Sequence, residues 1–277
     1  MLASNATLFL APDRALAYLH IMTRVKPLEG VHNFRSFHGY EGLEGARVRD
    51  GLYRSGHFSR SSEADRDFFK SLGIAVVADL RRPRERALEP SNWDAALGLR
   101  VIDSDHDDHD EPPHLQFMRK GDLSAEAVKG YMMSAYRRIP MEEGNQVVFR
   151  EAFKALASGE ADNGFLVHCA AGKDRTGIFC ALVLGELGVG YDVVRDDYEL
   201  TNSAVDYDSL VPKVQARMQD MLGKQVDEAS LRTFLGVDGA LLDEAFATIG
   251  DVDRYLRETL EISDDERDAL RARWLER

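Results

Sequence analysis

One stretch decides the fold: Phe165-Leu166-Val167-His168-Cys169-Ala170-Ala171-Gly172-Lys173-Asp174-Arg175-Thr176-Gly177, followed by an apolar run over residues 178–187. Its first three residues predict a buried strand, a glycine-containing loop follows, and the apolar run predicts a helix that ends at Gly188. This order brings backbone N–H groups and a helix N-terminus to one point, where anions bind. From this arrangement we expect an α/β protein with a central, parallel-type sheet flanked by helices.

The segment from His168 to Gly177, called the Cys169 loop below, carries a thiol and a cation at a fixed spacing. Five residues separate Cys169 from Arg175. A curled loop of that length can hold a phosphate dianion on its N–H groups while the planar fork of Arg175 binds two phosphoryl oxygens. The same positive field favours the thiolate of Cys169 as a nucleophile, and Thr176 can hydrogen-bond the departing sulfur. The other loop residues predicted to bind substrate are Ala170, Ala171, Gly172 and Lys173.

The composition indicates a soluble globular protein and disfavours one class of partner. Of the 277 residues, 44% are hydrophobic and 30% are charged, and the formal net charge is -13. Nucleic-acid binding needs a basic surface, so we expect no nucleic-acid partner. A phosphorylated substrate is compatible with this charge, because salt screens distant charges and a local nest of N–H groups holds the phosphate.

The two cysteines predict a reducing compartment. Cys169 and Cys180 are separated by a predicted turn and helix, which disfavours a disulfide, and Cys180 is predicted to be a buried structural residue. No run reaches the eighteen apolar residues of a membrane span, and residues 8–10 lack the basic flank of a signal peptide. We therefore expect a cytoplasmic protein without an integral membrane segment, and we leave unconventional secretion and the oligomeric state open.

The hydrophobic pattern predicts one compact domain over residues 27–277, preceded by an N-terminal extension over residues 1–26. A helical insert at about residues 203–250 belongs to this domain. The predicted strands cover residues 74–80, 99–102 and 165–167, with short strands and hairpins over 30–56. The predicted helices cover residues 14–22, 61–72, 124–138, 147–157, 176–187, 251–260 and 264–275.

Several blocks outside the Cys169 loop follow an order shared with a known family. They are Asn33-Phe34-Arg35, Gly51-Leu52-Tyr53-Arg54-Ser55-Gly56, Leu72-Gly73-Ile74, Ala78-Asp79-Leu80-Arg81, Asp197-Tyr198 through Thr201-Asn202, and the tail from Tyr255-Leu256 to Leu275. With the loop, these blocks resemble the protein tyrosine phosphatase superfamily. More narrowly, they resemble bacterial tyrosine and dual-specificity phosphatases, active on phosphoinositides, that are related to a secreted mycobacterial enzyme. One departure from the family pattern is Ser36-Phe37-His38-Gly39.

The resemblance implies an activity and further site residues. It implies a phosphatase fold with a helical lid insert, and hydrolysis of phosphotyrosine, phosphoserine or phosphothreonine, and phosphoinositides through a phospho-enzyme on Cys169. The implied partner is a phosphorylated protein or a phosphoinositide, with no cofactor and no metal. Arg54 and Asp79, within matching blocks, are expected to bind substrate. Lys173 is expected near additional phosphates, against the alternative of a solvated lysine.

A general acid must protonate the leaving oxygen. The chain has no Trp-Pro-Asp motif, and Trp93-Asp94 lies in a predicted surface turn. The resemblance implies that Asp174 is the acid, with stabilisation of a helix N-terminus as its structural alternative. Asp79, at the end of a predicted strand, is the second candidate, and its alternative is an ion pair with a neighbouring arginine. The Asp- and His-rich loop over residues 103–114 is a third source.

That same loop supports the first rival function, a metal-dependent hydrolase. Histidines interleaved with carboxylates can ligate a metal, although Pro112-Pro113 interrupts the run and a solvated acidic loop explains it as well. The histidines concerned are His106, His109 and His114.

Three further alternative functions also involve a phosphate-binding or cysteine-containing loop. A phosphate-binding pseudophosphatase would not need intact catalytic residues, and a rhodanese-like sulfurtransferase would not share the blocks beyond the loop. A P-loop nucleotidase is rejected, because Val167 and Asp174 stand where the Walker pattern requires Gly and Ser or Thr.

The insert offers an apolar face that either covers the site as a lid or packs on the core. Its residues are Leu210, Val214, Met218, Met221 and Leu222.

Overall fold

The computed structural model describes residues 24–92, 97–107 and 113–277. Three predicted features lie outside these residues. They are nearly all of the N-terminal extension with its helix over 14–22, the turn at Trp93-Asp94, and the centre of the Asp- and His-rich loop.

A five-stranded sheet forms the centre of the molecule. Its strands are β1 (Arg35–Ser36), β3 (Leu52–Ser55), β4 (Val76–Asp79), β5 (Arg100–Ile102) and β6 (Phe165–His168). The spatial order is β1-β3-β6-β4-β5, and all neighbours run parallel except β1 and β3. A second, two-stranded antiparallel sheet joins β2 (Arg47–Val48) to β7 (Leu275–Glu276). The mostly parallel sheet confirms the predicted α/β class.

Helices lie on both faces of the sheet and continue into the last third of the chain. They are α1 (Glu63–Ser71), α2 (Pro83–Leu88), α3 (Pro113–Lys120), α4 (Ala125–Arg138), α5 (Glu143–Ser158), α6 (Asp174–Glu186), α7 (Tyr191–Glu199), α8 (Thr201–Ala204), α9 (Tyr207–Leu222), α10 (Glu228–Leu235), α11 (Gly239–Ile249), α12 (Val252–Arg254) and α13 (Asp264–Trp274). A π-turn over Tyr255–Thr259 follows α12. Ser62, Ser124 and Ser263 accept backbone N–H bonds at the starts of α1, α4 and α13, as helix-capping serines do.

The central strands are buried on both faces, and their side chains alternate between two cores. Val77 and Leu166 face the cluster that contains Phe69 of α1. Phe165 and Val167 face the larger cluster that contains α5 and α6. Side chains alternate with a period of two along a strand, so a four-residue apolar run can serve two layers of helices. A layer on each face therefore follows directly from the apolar runs.

Among the element boundaries that differ from the sequence expectation, two have a direct structural cause. Helix α5 begins at Glu143, four residues before the predicted start, because Asn145 Nδ2 donates to the carbonyl of Ile139 and ties the first turn to the preceding segment. The predicted helix over 264–275 ends at Trp274, because Leu275 pairs with Val48 in the second sheet. That partner is more than 200 residues away, so local pattern could not indicate it.

Residues 203–250, predicted to form a helical insert, contain α9, α10 and α11. Helices α9 and α10, together called the cover (residues 207–235), share a small apolar cluster of their own beside α3. Its buried members are Val211, Met218, Val226 and Leu231. Val214 of the predicted face packs on this cluster, while the side chains of Met221 and Leu222 lie outside the described part of the structure. Within the described residues, no helix is both long enough and apolar enough to cross a bilayer.

Candidate active site

The Cys169 loop joins the end of β6 to the start of α6 and lies against β3. Gly172 has φ +69°, and a Cβ there would lie 2.3 Å from the carbonyl carbon and oxygen of Ser55, so only glycine fits. The Gly172 carbonyl accepts hydrogen bonds from Asn33 Nδ2 at 2.7 Å and from Arg54 Nη2 at 3.1 Å. The loop is thereby held at the carboxyl edge of the parallel strands, where ligands bind in open α/β sheets.

A buried charge network lies beneath the loop. Arg35 and Arg54 are fully buried and share one carboxylate, Asp197, with Arg54 Nη1 2.9 Å from its Oδ2. Burial alone would raise the pKa of Asp197, but the two guanidinium groups outweigh it and lower that pKa. Tyr40 also donates a hydrogen bond to Asp197. Two cations facing one anion leave positive charge under the loop. Arg54, which was expected to bind substrate, is buried beneath the loop and donates to the Gly172 carbonyl.

Cys169 lies on the cavity floor with 2% of its surface exposed. The preceding His168 is fully buried, and its Nδ1 lies 3.2 Å from the Cys169 carbonyl oxygen. Burial lowers the pKa of His168 although Asp79 opposes this shift, and the buried ring helps to fix the loop.

Asp79 forms the ion pair that was the alternative to a catalytic role. Its carboxylate accepts from Arg81 Nε at 2.9 Å and from Arg81 Nη2 at 2.7 Å. Burial would raise the pKa of Asp79, but His168 and Arg81 lower it below its usual value. A carboxylate held in its ionised form by a bidentate arginine is a poor proton donor.

Glu85, in the first turn of α2, orients the guanidinium group of Arg175. This role was not predicted from the sequence. Arg175 Nη1 lies 2.6 Å from Glu85 Oε2, Nη2 lies 2.9 Å from Oε1, and Nη1 also donates to the Leu80 carbonyl. Burial would raise the pKa of Glu85, but Arg175 lowers it to about 2. The only signal in the sequence was an acid at the start of a helix after the Asp79 strand, which also serves as an ordinary cap.

Asp174 lines the same cavity, with a quarter of its side chain exposed. Its Oδ1 accepts a 2.7 Å hydrogen bond from the hydroxyl of Tyr136, whose oxygen lies 2.5 Å from that of Tyr198. Tyr136 could not be identified from the sequence, where it is indistinguishable from a core residue of an amphipathic helix.

Lys173 lines the cavity but is almost entirely buried, so it is not a solvated lysine. It is 7% exposed, and its Nζ donates to the carbonyls of Phe234 at 2.6 Å and Gly236 at 3.2 Å. The ammonium group thus joins the Cys169 loop to the end of α10. Thr176 is fully buried, and within the described chain its hydroxyl has no hydrogen-bond partner.

These residues surround a cavity of about 250 Å³. Its floor is the Cys169 loop, and its walls come from α4, α10 and the segment that contains α2. One wall is apolar and aromatic, and the other carries arginines paired with carboxylates. The lining includes Arg82, Glu85, His114, Tyr131, Met132, Arg138, Glu142, Cys169, Ala170, Ala171, Lys173, Asp174, Arg175 and Phe234.

In the loop over residues 103–114, the alternative metal site, the described carboxylates form ion pairs with arginines. Asp103 and Asp105 lie near Arg86, and Asp107 lies near Arg84. Across residues 24–92, 97–107 and 113–277, no three His, Cys, Asp or Glu side chains are grouped to hold a metal ion. His109 lies outside the described residues, and His114 belongs to the cavity wall, where burial lowers its pKa.

Comparison with known proteins agrees with this geometry. Residues 26–276 match the model of a tyrosine phosphatase family. The chain is similar to a putative tyrosine-protein phosphatase of Cupriavidus necator, with 31% identity over 245 residues that cover 84% of this chain and 82% of that protein. It is also similar to the triple specificity protein phosphatase PtpB of Mycobacterium tuberculosis, with 32% identity over 223 residues, 73% of this chain and 76% of PtpB. A tyrosine-protein phosphatase of Nostoc commune is 26% identical over 81% of this chain and 74% of its own length.

Proposed function

This chain belongs to the tyrosine phosphatase family and is a cysteine-dependent phosphatase, and we propose that Cys169 is its nucleophile, Arg175 its phosphate-binding residue and Asp174 its general acid. One observation carries the proposal: all three side chains line one cavity, at the carboxyl edge of the sheet and at the N-terminus of α6. A helix N-terminus and a guanidinium group together stabilise a bound dianion.

In the first step, the Cys169 thiolate attacks phosphorus, an S–P bond forms and the P–O bond to the alcohol breaks. Arg175 holds two phosphoryl oxygens in line, since Glu85 fixes its guanidinium plane. Asp174 gives its proton to the leaving oxygen. The positive charge of the arginines beneath the loop stabilises the negative charge on sulfur when it becomes the leaving group in the second step.

In the second step, water attacks phosphorus and the S–P bond breaks. Asp174, now a carboxylate, takes the proton from that water, and the sulfur leaves as a thiolate. Thr176, the predicted donor to the departing sulfur, has a buried hydroxyl without a partner in the described chain, which supports this role. The cycle releases inorganic phosphate and needs no cofactor.

Phosphotyrosine is the substrate that the cavity favours. Tyr131 stacks on Phe117 with ring centroids 4.4 Å apart and on Phe234 at 6.3 Å, which gives the cavity an aromatic wall. Such a wall packs against an aryl phosphate. We extend the range to phosphoserine, phosphothreonine and phosphoinositides, supported by the similarity to PtpB, which is named a triple specificity protein phosphatase. For a phosphoinositide, Lys173 would exchange its bonds to the α10 end for additional phosphates.

We propose the cytoplasm as the compartment. Both cysteines, Cys169 and Cys180, are free and buried, and a thiolate nucleophile must stay reduced to act. The substrate there is a phosphorylated protein or a phosphoinositide.

The test is hydrolysis of 4-nitrophenyl phosphate in the presence of a metal chelator. We expect the wild type to be active, Cys169→Ser to be inactive, and Cys180→Ala, the matched control at the other thiol, to retain activity. Activity in Cys169→Ser, or loss of the wild-type rate in chelator, would overturn the proposal and favour a metal-dependent hydrolase built on residues 103–114. Binding of phosphate without hydrolysis by the wild type would instead favour a pseudophosphatase.

A further inference from the structure

The Oδ1 atom of Asp174 has two polar neighbours, one of which is Lys173 Nζ at 3.5 Å. Oδ1 accepts the 2.7 Å hydrogen bond from Tyr136, and the Tyr136 oxygen lies 2.5 Å from the Tyr198 hydroxyl oxygen. Tyr136 comes from α4, Asp174 from α6 and Tyr198 from α7. Helix α4 and the consecutive helices α6 and α7 therefore meet in one short chain of hydrogen bonds that ends at the cavity.

The direction of this chain follows from the number of protons. An ionised carboxylate only accepts hydrogen bonds, and each hydroxyl has one proton to give. Tyr136 gives its proton to Asp174, so its oxygen is left to accept from Tyr198. Burial first, and the negative charge of Asp174 second, raise the pKa of both tyrosines well above 10, so both stay protonated.

Packing fixes the two hydroxyl groups. Tyr136 and Tyr198 are 0% and 1% exposed, and their rings meet edge to face with centroids 6.3 Å apart. The Tyr198 ring lies so close to Gly177 that a Cβ at this position would be 2.7 Å from the Tyr198 Cδ2. A donor held this tightly sets the side-chain orientation of Asp174, and errors of about 1 Å in a reacting group cost on the order of 100-fold in rate.

We propose that Tyr136, supported by Tyr198, is a positioning residue that holds Oδ1 of Asp174 and leaves Oδ2 to carry the proton transferred to the leaving oxygen. The inference rests on the proposed role of Asp174 as general acid. When Oδ2 gives up its proton, the carboxylate becomes charged and the bond from Tyr136 strengthens. No proton moves along the tyrosines. In the second step, Oδ2 takes the proton of the attacking water.

The substitution that tests this is Tyr136→Phe, which keeps the ring and removes the hydroxyl. It is compared with wild type on phenyl phosphate, a poor leaving group, and 4-nitrophenyl phosphate, a good one, across pH. We expect kcat to fall about tenfold on phenyl phosphate and less than about twofold on 4-nitrophenyl phosphate, because a good leaving group needs little protonation. Tyr191→Phe is the matched control: it removes a tyrosine hydroxyl that donates to Asp243, also at 2.7 Å, and should leave both rates unchanged.

The double variant separates this inference from the proposed function. In an Asp174→Asn background, Tyr136→Phe should have no further effect, because the tyrosine acts through the carboxylate. An equal loss on both substrates, no loss, or an undiminished effect in the Asp174→Asn background would each overturn the inference while the acid assignment stands. If Asp174→Asn itself loses no more activity on phenyl phosphate than on 4-nitrophenyl phosphate, the acid assignment fails, and the inference fails with it.

Discussion

The Cys169 loop and the cover meet at one cavity but are held in place by different means. Beneath the loop lie side chains with almost no exposed surface, Arg35, Arg54 and Asp197, and the largest hydrophobic cluster contains Cys169 itself. The cover has a separate, small apolar cluster, and its ion pairs, such as Arg232 with Asp208, lie in solvent. Moving the loop would expose or separate buried charges, which costs free energy. The cover has no such buried charges in the described part of its cluster, and the ammonium group of Lys173 joins it to the loop.

This difference suits the proposed chemistry. A loop that binds a transition state must hold its donors in place before the substrate arrives. A wall over the cavity must open for a protein substrate to enter, and regions with few buried apolar contacts open most easily. We therefore propose that the cover acts as a lid.

The largest effect is expected from breaking the charge network under the loop. Arg54→Met removes the partner of Asp197 Oδ2 and one donor to Gly172, and should lower the free energy of unfolding by about 3 to 5 kcal/mol in urea titrations. Arg232→Met on the cover removes an arginine that also pairs with two carboxylates, and no measurable loss is expected, since its ion pairs are exposed. Equal losses in the two variants would remove the distinction between the regions.

The next largest effect concerns Glu85 and its pH dependence. The pKa of Glu85 falls from 4.5 to about 2 in the folded state, so its stabilisation is present above pH 4.5 and is lost as pH falls towards 2. Glu85→Gln should therefore lower the free energy of unfolding by about 3 kcal/mol at pH 7, and the difference should vanish near pH 2. It should also raise KM, because Arg175 loses its orienting partner. A stability difference that is the same at pH 7 and pH 3 would contradict this assignment.

The smallest effect is expected at the junction between the two regions. Lys173→Met removes the bonds to the Phe234 and Gly236 carbonyls, and should speed amide hydrogen exchange in α10 about tenfold. Exchange in β6 should not change. Lys213→Met, at an exposed lysine of α9, is the control and should alter neither. If α10 exchanges as slowly as β6 in the wild type, the cover is part of the rigid core and the lid proposal is wrong.

The sequence predicted the parts of the site that lie together along the chain. Cys169, Asp174 and Arg175 are within seven residues, and a strand, a glycine-containing loop and a helix oblige them to share one cavity. The same local pattern gave the α/β class, because apolar runs and turn residues report burial and chain reversal directly.

What escaped prediction depends on contacts between distant segments. Glu85 and Tyr136 reach the loop from 90 and 38 positions away, and nothing in their neighbourhoods distinguishes them from a helix-capping acid and a core aromatic. Lys173 stays a predicted substrate-binding residue, but its bonds at the end of α10 were not predicted, because those carbonyls become its neighbours only in the folded chain. The pairing of β2 with β7 is also a contact between segments far apart in sequence, and it was not predicted for the same reason.

The central claim, a phospho-enzyme on Cys169, is tested most directly by trapping the intermediate. Asp174→Asn is mixed rapidly with 4-nitrophenyl phosphate, quenched in acid and digested, and the peptides are analysed by mass spectrometry. We expect a burst of 4-nitrophenol with one phosphoryl group on the peptide that contains Cys169, since loss of the base slows hydrolysis of the S–P bond. A phosphoryl group on any other residue, or turnover without a burst and without a labelled peptide, would contradict it.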